Sequence, residues 1–297
     1  MIASPFFLLL LQLASTAASP PPDVRHRPAV SAVRYEHVME MKAEGGPGMK
    51  ADSAPPKQAK SRLATVYADG NLRVDVLEMS AQAPGGPIGQ TSYMLSLNGG
   101  KEQLVVDTVK REYYSLHTDS LLNQAMGTKD PIGDLGIKVS GVNVSVNEVG
   151  AGERLLGYAT RHWRTRYQMT VSAVFLGDSV SATADISDDS YYSHDVAFPA
   201  NPLMRRDAML VNPLASLAPG AESAKVTAAY ARLPKTAPLK STSRISLAFG
   251  PMEITLVSTD EITKIERVNV PASFFEIPAG FKKVEPPVPS LPKPPSQ

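Results

Sequence analysis

Residues 62–79 read RLATVYADGNLRVDVLEM, two β-prone runs joined at Asp69-Gly70. Asp-Gly accepts the positive φ angles of a tight hairpin turn, so the runs are expected to pair antiparallel. The pattern repeats downstream. TSYMLSLNGGKEQLVVD, residues 91–107, turns at Asn98-Gly99-Gly100, and VVDTVKREYYSL, residues 105–116, adds a β-rich run with a break expected at Thr108 to Lys110. Consecutive hairpins make an antiparallel meander.

Upstream, SAVRYEHVMEMK (31–42) alternates, with Val33, Tyr35, His37, Met39 and Met41 on one side and Arg34, Glu36, Glu40 and Lys42 on the other. Period two marks a strand with one buried face. His37 lies among apolar neighbours and reads as a hydrogen-bonded core histidine rather than a ligand. Loops rich in Gly, Pro and Ala follow at Ala43 to Lys60 and Ala81 to Gln90. Near the C-terminus, Ser241 to Phe249, Ile254 to Thr259 and Ile262 to Val270 read as three closing strands, separated by turns at Phe249-Gly250-Pro251 and Thr259-Asp260-Glu261.

Few segments read as helix. Thr118-Asp119 caps a short apolar run, Ser120 to Met126, ended by Gly127, and Pro202 to Leu217 carries a rough apolar face that Pro213 breaks. Glu222 to Leu233 reads equally as strand or helix. The fold class expected is therefore mainly β, with a few short helices.

The N-terminus, MIASPFFLLLLQLASTAASPPP, places an apolar run from Phe6 to Leu13 ahead of small residues and prolines, the order of a secretory signal with cleavage near Ala17 or Ala18. That run is shorter than the roughly 20 residues a membrane span needs. The expected organisation is a signal peptide at 1–18, a proline-rich lead-in at 19–30, a single β-rich domain at 31–284 and a proline-rich tail at 285–297. Export implies a periplasmic or secreted protein. With no cysteine, neither a disulfide nor a lipid-modified cysteine is available, and a hydrophobic core must hold the chain. Thirty basic against 29 acidic residues leave a net charge of +1, so no global field recruits nucleic acid. Asn143-Val144-Ser145 is a glycosylation sequon by pattern.

The densest chemistry lies in LLGYATRHWRTRYQMTV, residues 155–171. Alternation puts His162, Arg164, Arg166 and Gln168 on a polar, basic face and Trp163, Tyr167, Met169 and Val171 on an apolar one. Side chains two apart on a strand lie roughly 6.5–7 Å apart, so His162, Arg164 and Arg166 are a candidate anion-binding row. The acidic run from Asp185 to Asp195 follows the next turn and is expected to pair back onto these cations. Arg161 falls on the apolar side and requires a carboxylate or the sheet rim. Trp163 is expected to be buried.

Two further patterns lack the partners their chemistry needs. Gly177-Asp178-Ser179-Val180 resembles the first block of the GDSL-type serine esterases, with Ser179 as nucleophile. That family's Asp-x-x-His pair and Gly-x-Asn-Asp block are absent, which leaves Ser179 without a base or oxyanion donors. Asp185, Asp188, Asp189, His194 and Asp195 match neither a calcium loop nor a zinc spacing. No metal and no cofactor are called for.

Three segments carry a wider resemblance: Tyr67-Ala68-Asp69-Gly70-Asn71-Leu72-Arg73-Val74, Leu156-Gly157-Tyr158-Ala159-Thr160-Arg161-His162-Trp163, and Pro271-Ala272-Ser273-Phe274-Phe275-Glu276-Ile277-Pro278-Ala279-Gly280-Phe281. Together they resemble uncharacterised exported bacterial families with a DG-x-x-R turn, a G-Y-x-T-x-x-Y strand and a terminal F-x-x-P-x-G-[FY] strand. Trp163 stands where those families carry Tyr. Their architecture is similar to the outer-membrane lipoprotein carriers (LolA-like). The resemblance implies a curved antiparallel sheet or incomplete β-barrel over short helices, and a non-enzymatic envelope role holding a lipid, an acyl chain or another apolar or amphiphilic ligand. The alternative is a structural or protein-interaction module with a filled core, docking an envelope protein through its tail or basic strand. A concavity of roughly 300 Å³ or more favours the first.

Overall fold

A computed structural model describes residues 29–45, 59–80, 90–116, 138–175, 178–199, 220–249 and 252–286. Twelve strands form one curved, unclosed sheet in the order β12-β6-β5-β4-β3-β2-β1-β11-β10-β9-β8-β7. In chain order these are β1 (Ala29–Gly45), β2 (Ala59–Ala68), β3 (Asn71–Met79), β4 (Ser92–Leu97), β5 (Glu102–Asp107), β6 (Glu112–Ser115), β7 (Lys138–Ala151), β8 (Arg161–Phe175), β9 (Asp178–Tyr192), β10 (Lys240–Phe249), β11 (Met252–Pro271) and β12 (Lys282–Lys283). All pairs are antiparallel except β12 with β6. The described helix α1 (Gly220–Tyr230) resolves the ambiguous segment after Glu222.

The hairpin at Asp69-Gly70 forms as its residues dictate, with φ of 49° and 78°. Gly99 donates its amide to the Gly70 carbonyl at 2.8 Å, so the Asn98–Gly100 turn stacks on the first. The break after Asp107 is a turn leading into β6.

Register assigns the side chains to two faces. One, the helix face, carries α1: Tyr35, Leu63, Val74, Met94 and Val105 bury there, as do Tyr167, Met169 and Ile186 beneath Val226. The opposite face is covered over β1 to β6 by the C-terminal segment 272–284, a strap whose Phe275 packs on Ala32, Val66 and Ala68. Ile277 and Phe281 pack on Tyr93, Leu95, Leu104 and Val106. Strands β4 and β5 are consequently buried on both sides, in keeping with their apolar runs Tyr93-Met94-Leu95 and Leu104-Val105-Val106.

Two expectations are corrected. Ile254 to Val270 is a single strand, not two separated by a turn at Thr259-Asp260-Glu261. A bulge opposite Glu36 and His37 inserts one residue, and the phase of alternation flips from Ile262 to Ile265. Thr263 Oγ1 donates to the Glu36 carbonyl there. Trp163 lies on the apolar face as expected but is only half-buried, for the reason given below. The helices expected at Ser120 to Met126 and Pro202 to Leu217, the expected signal peptide at 1–18, most of the expected lead-in and the residues from 287 onward lie outside the described residues.

Candidate functional site

The basic row occupies the strap-side face of β8, beyond the reach of the strap. His162 Nε2 lies 2.6 Å from Asp189 Oδ1, and Arg164 Nε donates to the same oxygen at 2.9 Å. The His162 ring stacks on Tyr191 at 4.8 Å. Gly152 makes this packing feasible, because a Cβ there would sit 2.4 Å from Thr160 Oγ1 and 2.8 Å from Tyr191 Cδ1. The expected back-pairing of the acidic run is thus seen for His162 and Arg164 of the three side chains. Arg166 is exposed, flanked in the ladder by Ser145 and Ser187, and has no ion pair among the described residues. Arg161 meets Glu148, the carboxylate its position required.

On the other face, Trp163 opens onto a cavity of about 170 Å³. Its apolar wall includes Trp163, Val196, Ala197 and Pro234, and its polar rim includes the Arg161–Glu148 pair, Ser193 and His194. The wall comes from two segments beyond the sheet. Pro199 bridges Thr236, Ala237 donates to the Phe198 carbonyl at 3.0 Å, and Leu239 donates to the Tyr191 carbonyl at 2.8 Å. Tyr35 clamps the first segment, stacking on Phe198 at 4.4 Å and donating its hydroxyl to the Pro199 carbonyl at 3.1 Å. Burial pushes the Tyr35 phenol far above its usual range, so it stays a donor. Residues of both segments line the same space as Trp163, and the indole is left half-buried. Neither segment carries a sequence pattern that announces a pocket.

A polar row starts at Trp163 and crosses the helix face through Ser190, Ser241, Asp260, Met39 and Ser61. No local sequence pattern marks it, because these residues come from six strands. His37, fully buried, pairs through Nδ1 with Asp260 at 2.9 Å. This is the arrangement of a base with its orienting carboxylate, yet the buried Ser61 hydroxyl on the same face makes no hydrogen bond and is not activated. Ser179 is the second residue of β9, inside an antiparallel hairpin; the esterase nucleophile follows the first strand of a parallel sheet. No group of His, Asp and Glu among the described residues has metal-holding geometry.

The motif residues of the terminal segments serve packing. The Arg73 guanidinium lies 3.7 Å over the Tyr93 ring and 4.4 Å over Phe274 while donating twice to Asp75 Oδ1, so it staples the strap to β3 and β4. Leu155 and Tyr158 exchange backbone bonds around Gly157, and Thr160 Oγ1 donates to the Glu153 carbonyl at 2.6 Å, closing the loop that enters β8. Comparison with protein-family models, with curated proteins and with solved structures gives no match.

Proposed function

We propose that this is an exported, non-enzymatic cell-envelope protein, periplasmic or secreted, that binds an apolar or amphiphilic ligand such as a lipid or lipoprotein acyl chain. The observation that carries the reading is the half-open Trp163 in a cavity with one apolar wall and one charged rim. An apolar cavity of about 150 Å³ takes up a benzene-sized group, so the space beside Trp163 suits the end of a chain or one ring. A carboxylate or phosphate headgroup at the mouth competes with Glu148 for Arg161. The N-terminal apolar run supports export, and the open antiparallel sheet supports the likeness to the lipoprotein carriers.

Trp163 is the chain's single tryptophan, so its emission reports on the site directly. Titration with a short-chain fatty acid or lysophospholipid below its micelle concentration is expected to shift the emission to the blue and to saturate. Unchanged emission would sink the proposal. One observation favours the interaction-module reading: about 170 Å³ falls below the roughly 300 Å³ at which ligand pockets begin. Under that reading the protein leaves its envelope without lipid but with a protein bound.

A further inference from the structure

The sheet treats its two edges differently. One ends in β12, two residues long, laid over β6. The other is β7, 14 residues long, and no described strand pairs with its outer side. Proteins blunt such edges with charges, prolines or bulges. β7 has bulges at both ends of its middle, between Ser140 and Asn143 and between Glu148 and Gly150. Between them the strand runs regularly from Asn143 to Glu148, and no charge interrupts it before Glu148. That run reads Asn143-Val144-Ser145-Val146-Asn147, identical in both directions. Asn143, Ser145 and Asn147 are exposed on the strap-side face, while Val144 and Val146 turn toward the helix-face core.

We infer that β7 is a dimer interface, pairing antiparallel with β7 of a second copy of this chain about a two-fold axis through Ser145. Opposed residues of an antiparallel pair share a face, so a two-fold must set each residue against one of the same parity. Centring on Ser145 sets Asn143 opposite the partner's Asn147, Val144 opposite the partner's Val146, and Ser145 opposite its own copy. Amide then meets amide, valine continues the apolar row, and no like charges face each other. An unrelated extended peptide gains the same main-chain bonds without these matched rows, which is why the occupant is a second copy. The flanking bulges confine pairing to this run and thereby fix its register. Ser145 is the ladder partner of Arg166, so Arg166 and the partner's Arg166 stand three strand spacings apart, about 14 Å, on one side of the shared sheet.

The test is the solution mass of the protein by light scattering or sedimentation, with two paired variants. Wild type is expected at twice the monomer mass. Asn143→Lys with Asn147→Lys opposes lysines across the axis, and Asn143→Glu with Asn147→Glu opposes glutamates, so each variant alone is expected as a folded monomer. Mixing the two sets lysine against glutamate and restores the dimer mass. A wild-type monomer at every concentration, a dimer that survives either substitution, or a mixture that stays monomeric overturns the inference. Wild type retaining an unrelated peptide in place of a second copy overturns it equally.

Discussion

Replacing Arg73 tests whether the strap is held by the contacts assigned to it. The guanidinium loses two ring faces in Arg73→Ala, worth about 0.5–1 kcal/mol each at partly exposed sites. Its pair with Asp75 involves side chains 22% and 31% exposed, so screening holds that contribution to about 0.2–1 kcal/mol. Lost burial of the aliphatic stem adds about 1 kcal/mol, for an expected total of about 3 kcal/mol. Arg73→Met keeps most of the stem and should cost about half as much, separating charge from packing. Urea denaturation measures the totals. Hydrogen exchange reports the location: the amides of Lys282 and Val284, bonded to the carbonyls of Arg111 and Tyr113, should lose protection before the rest of the sheet. A cost below about 1 kcal/mol in Arg73→Ala, or unchanged protection at those two amides, would show that Arg73 does not hold the strap.

Other consequences are equally concrete. Trp163→Ala should cost about 2 kcal/mol, less than the roughly 3–5 kcal/mol of a fully buried tryptophan, while removing amphiphile binding; a loss of stability without a loss of binding places the ligand elsewhere. Glu36, buried and hydrogen-bonded by Arg62, has its carboxyl held below the ordinary range, partly offset by burial and reinforced by Arg34. A lowered folded-state value means that its stabilisation is complete above the ordinary carboxylate range and is lost as pH falls through that lowered value. The urea midpoint should therefore drop on acidification, and Glu36→Gln should flatten the acid limb; parallel curves for the two proteins would exclude Glu36 as the source. Ending the chain after Pro286 should leave thermal stability almost unchanged, since the proline-dense remainder offers little to bury. Ending it after Pro271 removes the strap from Leu95 and Val106 and should prevent cooperative folding.

Local chemistry made much of this architecture legible. Asp69-Gly70 and Asn98-Gly99-Gly100 specify their turns through backbone φ, and the alternation around Trp163 gave the correct face for each neighbour. It misled at β11, where the polar residues Thr259-Asp260-Glu261 look like a turn but stay in register with β10, and one inserted residue at Thr263 reverses the phase beyond them. It also overstated the burial of Trp163. Side-chain direction follows from the strand itself, but covering depends on segments 193–199 and 232–239, whose approach is set by long-range contacts such as Tyr35 with Pro199. The basic row was visible as composition, and the pairing of His162 and Arg164 with Asp189 followed from the hairpin between β8 and β9. The polar row from Trp163 to Ser61 was not, because it runs across six strands and has no sequence period.

If a lipid or amphiphile occupies the space beside Trp163, it should travel with the protein on purification, and native mass spectrometry of protein isolated from the cells that make it detects the bound molecule. A bound species of lipid or amphiphile mass is expected in wild type and not in Trp163→Ala. Wild-type protein that carries no such molecule, or an identical adduct in both proteins, would contradict it.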